Sequence, residues 1–147
     1  MEKYKVKKSI ILDGLMEVSP TCDVYVNISS NTLTKCSLYF MSTTREEIEN
    51  YVTEHFDEFI ELPNYRKMKY YDMVYDYVNT INNNEIIHKA KLIICNEKFW
   101  YKEFYNILNE YNLKDDFNKY RYERLKVVLE EIIVNNSHKI EVIDDLK

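Results

Sequence analysis

Residues 35–60 read KCSLYFMSTTREEIENYVTEHFDEFI, and the period of this stretch changes part-way along. Up to Phe40 it repeats every two residues: Cys36, Leu38 and Phe40 alternate with Lys35, Ser37 and Tyr39, as in a strand with one buried face. From Ile48 onward, Ile48, Tyr51, Val52, His55, Phe56, Phe59 and Ile60 recur at three- and four-residue intervals, as on one helix face. Between them, Thr44-Arg45-Glu46-Glu47 has the form of a capping box. It predicts Thr44 as N-cap of a helix that Pro63 stops near Glu61. A period switch near residue 42 predicts an α+β fold.

Toward the N-terminus the period stays at two. Tyr4, Val6, Ile10 and Leu12 alternate with Lys3, Lys5 and Lys7, which predicts a strand over residues 4–12, with Gly14 and Pro20 as punctuation. Val24, Val26 and Ile28 alternate with Asp23, Tyr25 and Asn27 in a second strand. Its hairpin with the third can be registered by requiring one apolar face, because a one-residue slip turns every side chain over. Pairing Ile28 with Thr34 places Val26 opposite Cys36 and Val24 opposite Leu38. This predicts a loop of three or five residues, with Asn31 in the left-handed conformation. Cys22 then faces Phe40 and cannot bridge to Cys36.

Toward the C-terminus the pattern is helical. A helix over residues 65–82 would turn Met68, Tyr71, Val74, Tyr75, Val78 and Ile81 inward, and Asn82-Asn83-Asn84 would end it. Residues 85–95 fit a helix or a strand, with the helix preferred. Asn96 can cap a helix carrying Trp100, Phe104, Ile107, Leu108 and Tyr111, and Asp115 or Asp116 a last one through Val134. The stripe of that last helix is Leu125, Val128, Leu129, Ile132 and Ile133. Residues 140–143 read as a short strand before a charged tail. The expected fold is a three-stranded antiparallel β-meander packed on four to five helices, with one short C-terminal strand. It forms a single domain over 1–147, mainly β to residue 42 and mainly α from 43 to 136.

Composition narrows the function classes. With 147 residues, 46% of them hydrophobic and 31% charged, the chain can bury a core without staples. It has one glycine, which excludes the glycine-dependent phosphate loops and nucleophile elbows. Fourteen Tyr and fifteen Asn beside one Ala indicate AT-rich coding, as in a low-GC bacterium, a virus or a mobile element. The first thirty residues lack a signal-peptide pattern and no apolar run spans a bilayer, so the expectation is a cytoplasmic protein (host cytoplasm if viral) with no membrane association. Cys22, Cys36 and Cys95 are odd in number and sit in apolar patterns, as buried structural thiols do. His55, His88 and His138 have no metal-ligand spacing. No catalytic residue, metal or cofactor is expected.

Two candidate sites remain. Residues 41–62 hold one arginine against seven carboxylates, a net of −6 in a chain whose total is −5. Glu46, Glu47, Glu54, Asp57, Glu58 and Glu61 form an acidic helix face, either solvated or a dock for a basic partner protein. The second candidate interleaves aromatic and basic residues in Tyr65-Arg66-Lys67-Met68-Lys69-Tyr70-Tyr71 and in Tyr120-Arg121-Tyr122-Glu123-Arg124. Rings stack on unpaired bases while Arg66 and Lys67 neutralise phosphates, so single-stranded nucleic acid is the alternative partner. Tyr70, Tyr77, Tyr101 and Tyr122 fall off the apolar stripes and read as surface rings suited to a protein interface, including one with a second copy. The expectation is a non-enzymatic interaction protein, in an accessory or inhibitory role for a virus or mobile element.

Overall fold

In the computed structural model, residues 2–68, 70–96 and 100–146 are described, with Lys67, Met68 and Asn96 described by backbone only. The fold is mixed α+β. The chain divides into two compact units, one of Met1–Lys67 with Leu125–Lys147 and the other Met68–Arg124.

The first unit opens with β1 (Tyr4–Lys7), which pairs in parallel with β5 (Ile140–Ile143), Tyr4 opposite Ile140. The short C-terminal strand is thus present. The expected strand over residues 4–12 ends at Lys7, and Lys8–Glu17 form helix α1. In α1 the buried residues are Ile11, Leu12, Gly14 and Leu15. Ile10-Ile11-Leu12 is a short apolar run that fits either period, and burial at i, i+1 and i+4 decides for the helix. Gly14 is therefore not a turn. It lies inside α1, where a Cβ would overlap the Leu62 side chain and stand 3.0 Å from Leu33 Cδ2. Glycine here lets the helix approach its neighbours closely.

Strands β2 (Cys22–Asn27) and β3 (Thr32–Ser37) form the expected hairpin in a different register. Val24 faces Lys35, Val26 faces Leu33 and Asn27 faces Thr32, which leaves the four-residue loop 28–31. The rule of one apolar face failed because both faces of this sheet carry a helix. Val24, Val26 and Leu33 lie on the face near Gly14 of α1. Lys35 shares that face at the sheet edge, and its Nζ reaches Glu17 Oε2 at 3.0 Å, the stem covering apolar surface while the charge stays wet. Cys36 lies on the opposite face from Cys22, so the two cannot bridge. Asn31 has φ 55°, as expected. Its side-chain amide accepts from the Lys7 N–H (3.0 Å) and donates to the Lys5 carbonyl (2.9 Å), covering an edge of β1.

The third strand of the sheet is β4 (Phe59–Glu61), so the order is β3-β2-β4 and the expected N-terminal meander is matched only in its β2–β3 hairpin. Helix α2 spans Ser42–Glu54 and a 3-10 turn Phe56–Glu58 follows. Thr44 is not the N-cap; Met41 holds that position without a side-chain bond, and Thr44 sits inside the first turn. Phe59 and Ile60 are buried as strand residues, with Val26 opposite Ile60. Their spacing from Tyr51 and Val52 imitates a helical stripe, but pairing with β2 satisfies their backbone instead. After Pro63 comes the short α3 (Tyr65–Met68).

The second unit holds α4 (Tyr70–Val78), α5 (Asn84–Asn96), α6 (Trp100–Glu110) and the first part of α7 (Lys114–Asn135). Residues 85–95 are helical. Asn83 caps α5, its Oδ1 accepting from Glu85 N (3.0 Å) and Ile86 N (3.2 Å). The reading of Asn96 as a cap lies outside the described residues. The expected helix over residues 65–82 ends at Val78, and its buried residues are Tyr70, Met73, Val74, Tyr77 and Val78, so the stripe is rotated from the expected one. Tyr71 is exposed and Tyr75 half-buried. The core of this unit is aromatic, with Phe117 edge-on to Tyr77 (4.9 Å) and to Phe104 (5.3 Å).

Asp115 and Asp116 lie in the first turn of α7, not at its cap, and complement the helix dipole there. Leu125, Leu129 and Ile132 are buried as expected, and α7 also buries Phe117 and Arg121. No helix among the described residues is long and apolar enough to cross a membrane.

Candidate functional site

The acidic segment is distributed over three elements. Glu46, Glu47 and Glu54 stand on α2, Asp57 and Glu58 on the 3-10 turn, and Glu61 on β4. At 100° per residue, Glu46, Glu47 and Glu54 fall within one third of the α2 circumference. Arg45, Ile48, Val52 and His55 cover the opposite arc and are half-buried. No residue of α2 is fully buried, so the helix lies shallowly on the sheet.

Its inner side meets β3. Cys36 Sγ is 3.9 Å from Glu49 Oε1, and the Tyr51 ring meets Phe59 edge-on at 5.9 Å and stacks on His55 at 4.1 Å. Tyr25 is half-buried beneath it, its hydroxyl pKa pushed up to about 12 by burial and by the carboxylates of Glu61, Asp23 and Glu49. Burial, then the Glu49 carboxylate, pushes the Cys36 thiol pKa up, which disfavours its thiolate. Burial also raises Cys22.

The carboxylates of this segment differ from others in the chain. Elsewhere Glu17 pairs with Lys35 (3.0 Å), Glu130 with Lys8 (3.1 Å), Glu110 with Lys89 (3.0 Å) and Asp76 with Arg124 (3.2 Å). Among the described residues, none of Glu46, Glu47, Glu54, Asp57, Glu58 and Glu61 has a lysine or arginine within 4.0 Å. Among the described residues this dense run of negative charge has no ion-pair partner.

Directly before α2 lies an apolar strip. Leu38, Tyr39, Phe40 and Met41 are 59%, 85%, 41% and 75% exposed, and Tyr51 and Phe56 are exposed as well. Four consecutive large apolar side chains in solvent exceed the scattered exposure usual for a protein surface. The backbone beneath them is held. Leu38 N–H donates to the Thr21 carbonyl (2.8 Å), Tyr39 N–H to Ser37 Oγ (3.1 Å) and Phe40 N–H to the Ser37 carbonyl (3.1 Å). The sequence pattern had turned Leu38 and Phe40 inward as strand residues. The missed signal is that four apolar residues in succession cannot all lie on one face of a strand.

The aromatic and basic candidates are divided between the units, Tyr65, Arg66 and Lys67 in the first and Tyr70, Tyr77, Tyr101 and Tyr122 in the second, where the Tyr70 and Tyr101 rings both meet Trp100 at 5.9 and 6.3 Å. Tyr65, Tyr70 and Tyr77 are buried, at 7%, 4% and 1%, which corrects the expected surface placement of Tyr70 and Tyr77. Tyr70 Oη meets Tyr105 Oη at 2.8 Å, and Tyr77 Oη donates to Asp116 Oδ2 at 2.8 Å. Arg66 and Tyr122 are half-buried, Tyr101 is exposed, and the Lys67 side chain lies outside the described residues. Arg121 is buried and Arg124 bonds Tyr120 and Asp76.

An open cleft of about 560 Å³ in the second unit is lined by Tyr71, Asp72, Tyr75, Asp76, Cys95 and Arg124. Its arginine is engaged by Asp76, and Cys95 Sγ stands 3.6 Å from Tyr71 Oη at the C-terminal end of α5. No group of His, Cys, Asp and Glu among the described residues could hold a metal ion.

Comparison with protein-family models, curated proteins and solved structures finds no match.

Proposed function

We propose that this protein acts by binding a partner protein, without catalysing a reaction, through the strip 38–41 and the outward carboxylates of α2. One observation carries the reading: four consecutive exposed apolar side chains directly precede α2, whose Glu46, Glu47 and Glu54 have no lysine or arginine within 4.0 Å among the described residues. Apolar surface supplies burial on association, and unpaired charge supplies steering and choice of partner. The AT-rich coding bias, found in low-GC bacteria, viruses and mobile elements, is compatible with an accessory or inhibitory role for a virus or mobile element. Single-stranded nucleic acid has less support as partner, because Tyr65 and Tyr70 would have to leave buried positions before a base could stack on them.

The test is a photo-crosslinking amino acid at Tyr39 or Met41, with a control at Tyr101, in lysate of the native host with and without nuclease. A protein adduct from positions 39 and 41 is expected, surviving nuclease and lost when Glu46, Glu47 and Glu54 are changed to Lys. Circular dichroism of the triple variant checks that the fold persists. Adducts of equal yield from position 101, or adducts removed by nuclease, would refute the reading.

A further inference from the structure

The surface described above also constrains the kind of partner. Resting on that reading, we infer that the partner face is a cationic amphipathic one, a helix or ridge carrying Lys or Arg beside large apolar side chains, and not a second copy of this chain.

Charge complementarity is the first ground. Among the described residues, Glu46, Glu47, Glu54, Asp57, Glu58 and Glu61 have no lysine or arginine within 4.0 Å, and Arg45, the basic residue of this stretch, is half-buried on the inner arc of α2. A two-fold dimer over this surface would set the same carboxylates against themselves, since an isologous interface repeats one patch on both sides. Like charges brought together in this way disfavour the complex. A neutral apolar partner would leave the carboxylates to be desolvated unpaired at the contact rim. A cationic partner meets them and keeps the apolar contact.

The second ground is the form of the apolar strip. Its backbone is already hydrogen-bonded to Thr21 and Ser37, so the four side chains are presented on an ordered turn. Little backbone entropy is lost on docking, which favours an occupant that packs side chains against the strip. A polyanion such as nucleic acid is repelled by the carboxylates, and so is an anionic lipid surface.

The probe is a helical amphipathic peptide of Leu and Lys only, compared with a Leu and Glu peptide of the same pattern and with an oligolysine of equal charge. Binding to the intact protein is followed by fluorescence anisotropy of labelled peptide. The Leu/Lys peptide is expected to bind about tenfold more tightly than oligolysine, with affinity falling as salt rises, and the Leu/Glu peptide not at all. Tyr39→Ser with Met41→Ser should bring the Leu/Lys peptide down to the oligolysine level. Glu46, Glu47 and Glu54→Lys should abolish both, while reversal of Glu103, Glu110 and Asp115 in the second unit should leave both unchanged.

Equal binding of Leu/Lys peptide and oligolysine, or equal binding of the Leu/Glu peptide, overturns the inference. So does a concentration-dependent dimer in sedimentation that Tyr39→Ser and Met41→Ser dissolve, or adsorption to neutral phosphatidylcholine vesicles in place of peptide. If the peptide fails while crosslinking from positions 39 and 41 still captures a protein, the inference falls and the protein-binding reading stands. If both fail, both fall.

Discussion

Gly14 reverses a usual expectation about helices. Replacing a mid-helix glycine by alanine ordinarily stabilises by about 1 kcal/mol. Here the added Cβ overlaps Leu62, which is buried, and overpacking costs about 1–3 kcal/mol. Gly14→Ala is expected to lower stability by about 1 kcal/mol net in urea unfolding. In a Leu62→Ala background the same change should become neutral or favourable, and additive effects in that double-mutant cycle would contradict the close approach.

Asp145 links stability to pH at the same scale. Its carboxylate accepts from both the Ser9 hydroxyl and the Ser9 N–H (2.9 Å) at the start of α1. Those two bonds hold its pKa below the ordinary carboxylate value. A depressed folded-state pKa contributes stability that is present above the unfolded pKa and lost as pH falls through the folded one. Asp145→Asn is therefore expected to lower the urea midpoint at neutral pH, with variant and parent converging in acid. A gap independent of pH would assign the loss to geometry rather than charge.

Among elements, α1 and α2 stand in contrast. The first buries Ile11, Leu12 and Leu15, whereas the second has no buried residue and touches the sheet through Glu49 and Tyr51. Local opening follows buried apolar contact more than hydrogen-bond count. Amides of α2 should exchange with deuterium about tenfold faster than those of α1 under native conditions. Binding of a partner on the outer face of α2 should slow them. Equal protection of the two helices in the free protein would contradict so shallow a seat for α2.

For the whole molecule, α7 is the shared element. Residues 114–124 serve one unit, where Phe117 is buried, and residues 125–135 the other, where Leu125, Leu129 and Ile132 are buried. Helix formation is cooperative, and the helix is unbroken across residue 125. The expectation is a single unfolding transition, with Trp100 fluorescence and far-ultraviolet circular dichroism sharing one urea midpoint. Two separated midpoints would make the units independent domains.

Local pattern determined a good deal of this architecture. The α+β class, the strands around Val24 and Cys36, the left-handed Asn31, most of the last helix's stripe (Leu125, Leu129 and Ile132 buried, Val128 and Ile133 half-buried) and the strand at 140–143 were all legible, while residues 85–95 fitted helix and strand alike. Each follows from short-range periodicity or a backbone preference, which neighbouring residues alone can set. Tertiary structure decided the rest. Whether Phe59 and Ile60 continue a helix or pair with β2 depends on a partner strand more than thirty residues earlier. The hairpin register depended on a second helix covering the other sheet face, and Gly14 on a leucine forty-eight positions away. Tyrosine, apolar in body and polar at its tip, suits core or surface equally, so distant partners decided: Asp116 and Phe117 for Tyr77, Tyr105 and Trp100 for Tyr70. The carboxylates of the candidate surface were visible as charge. Their lack of ion-pair partners among the described residues, and the exposure of the strip that precedes α2, emerged only in the fold.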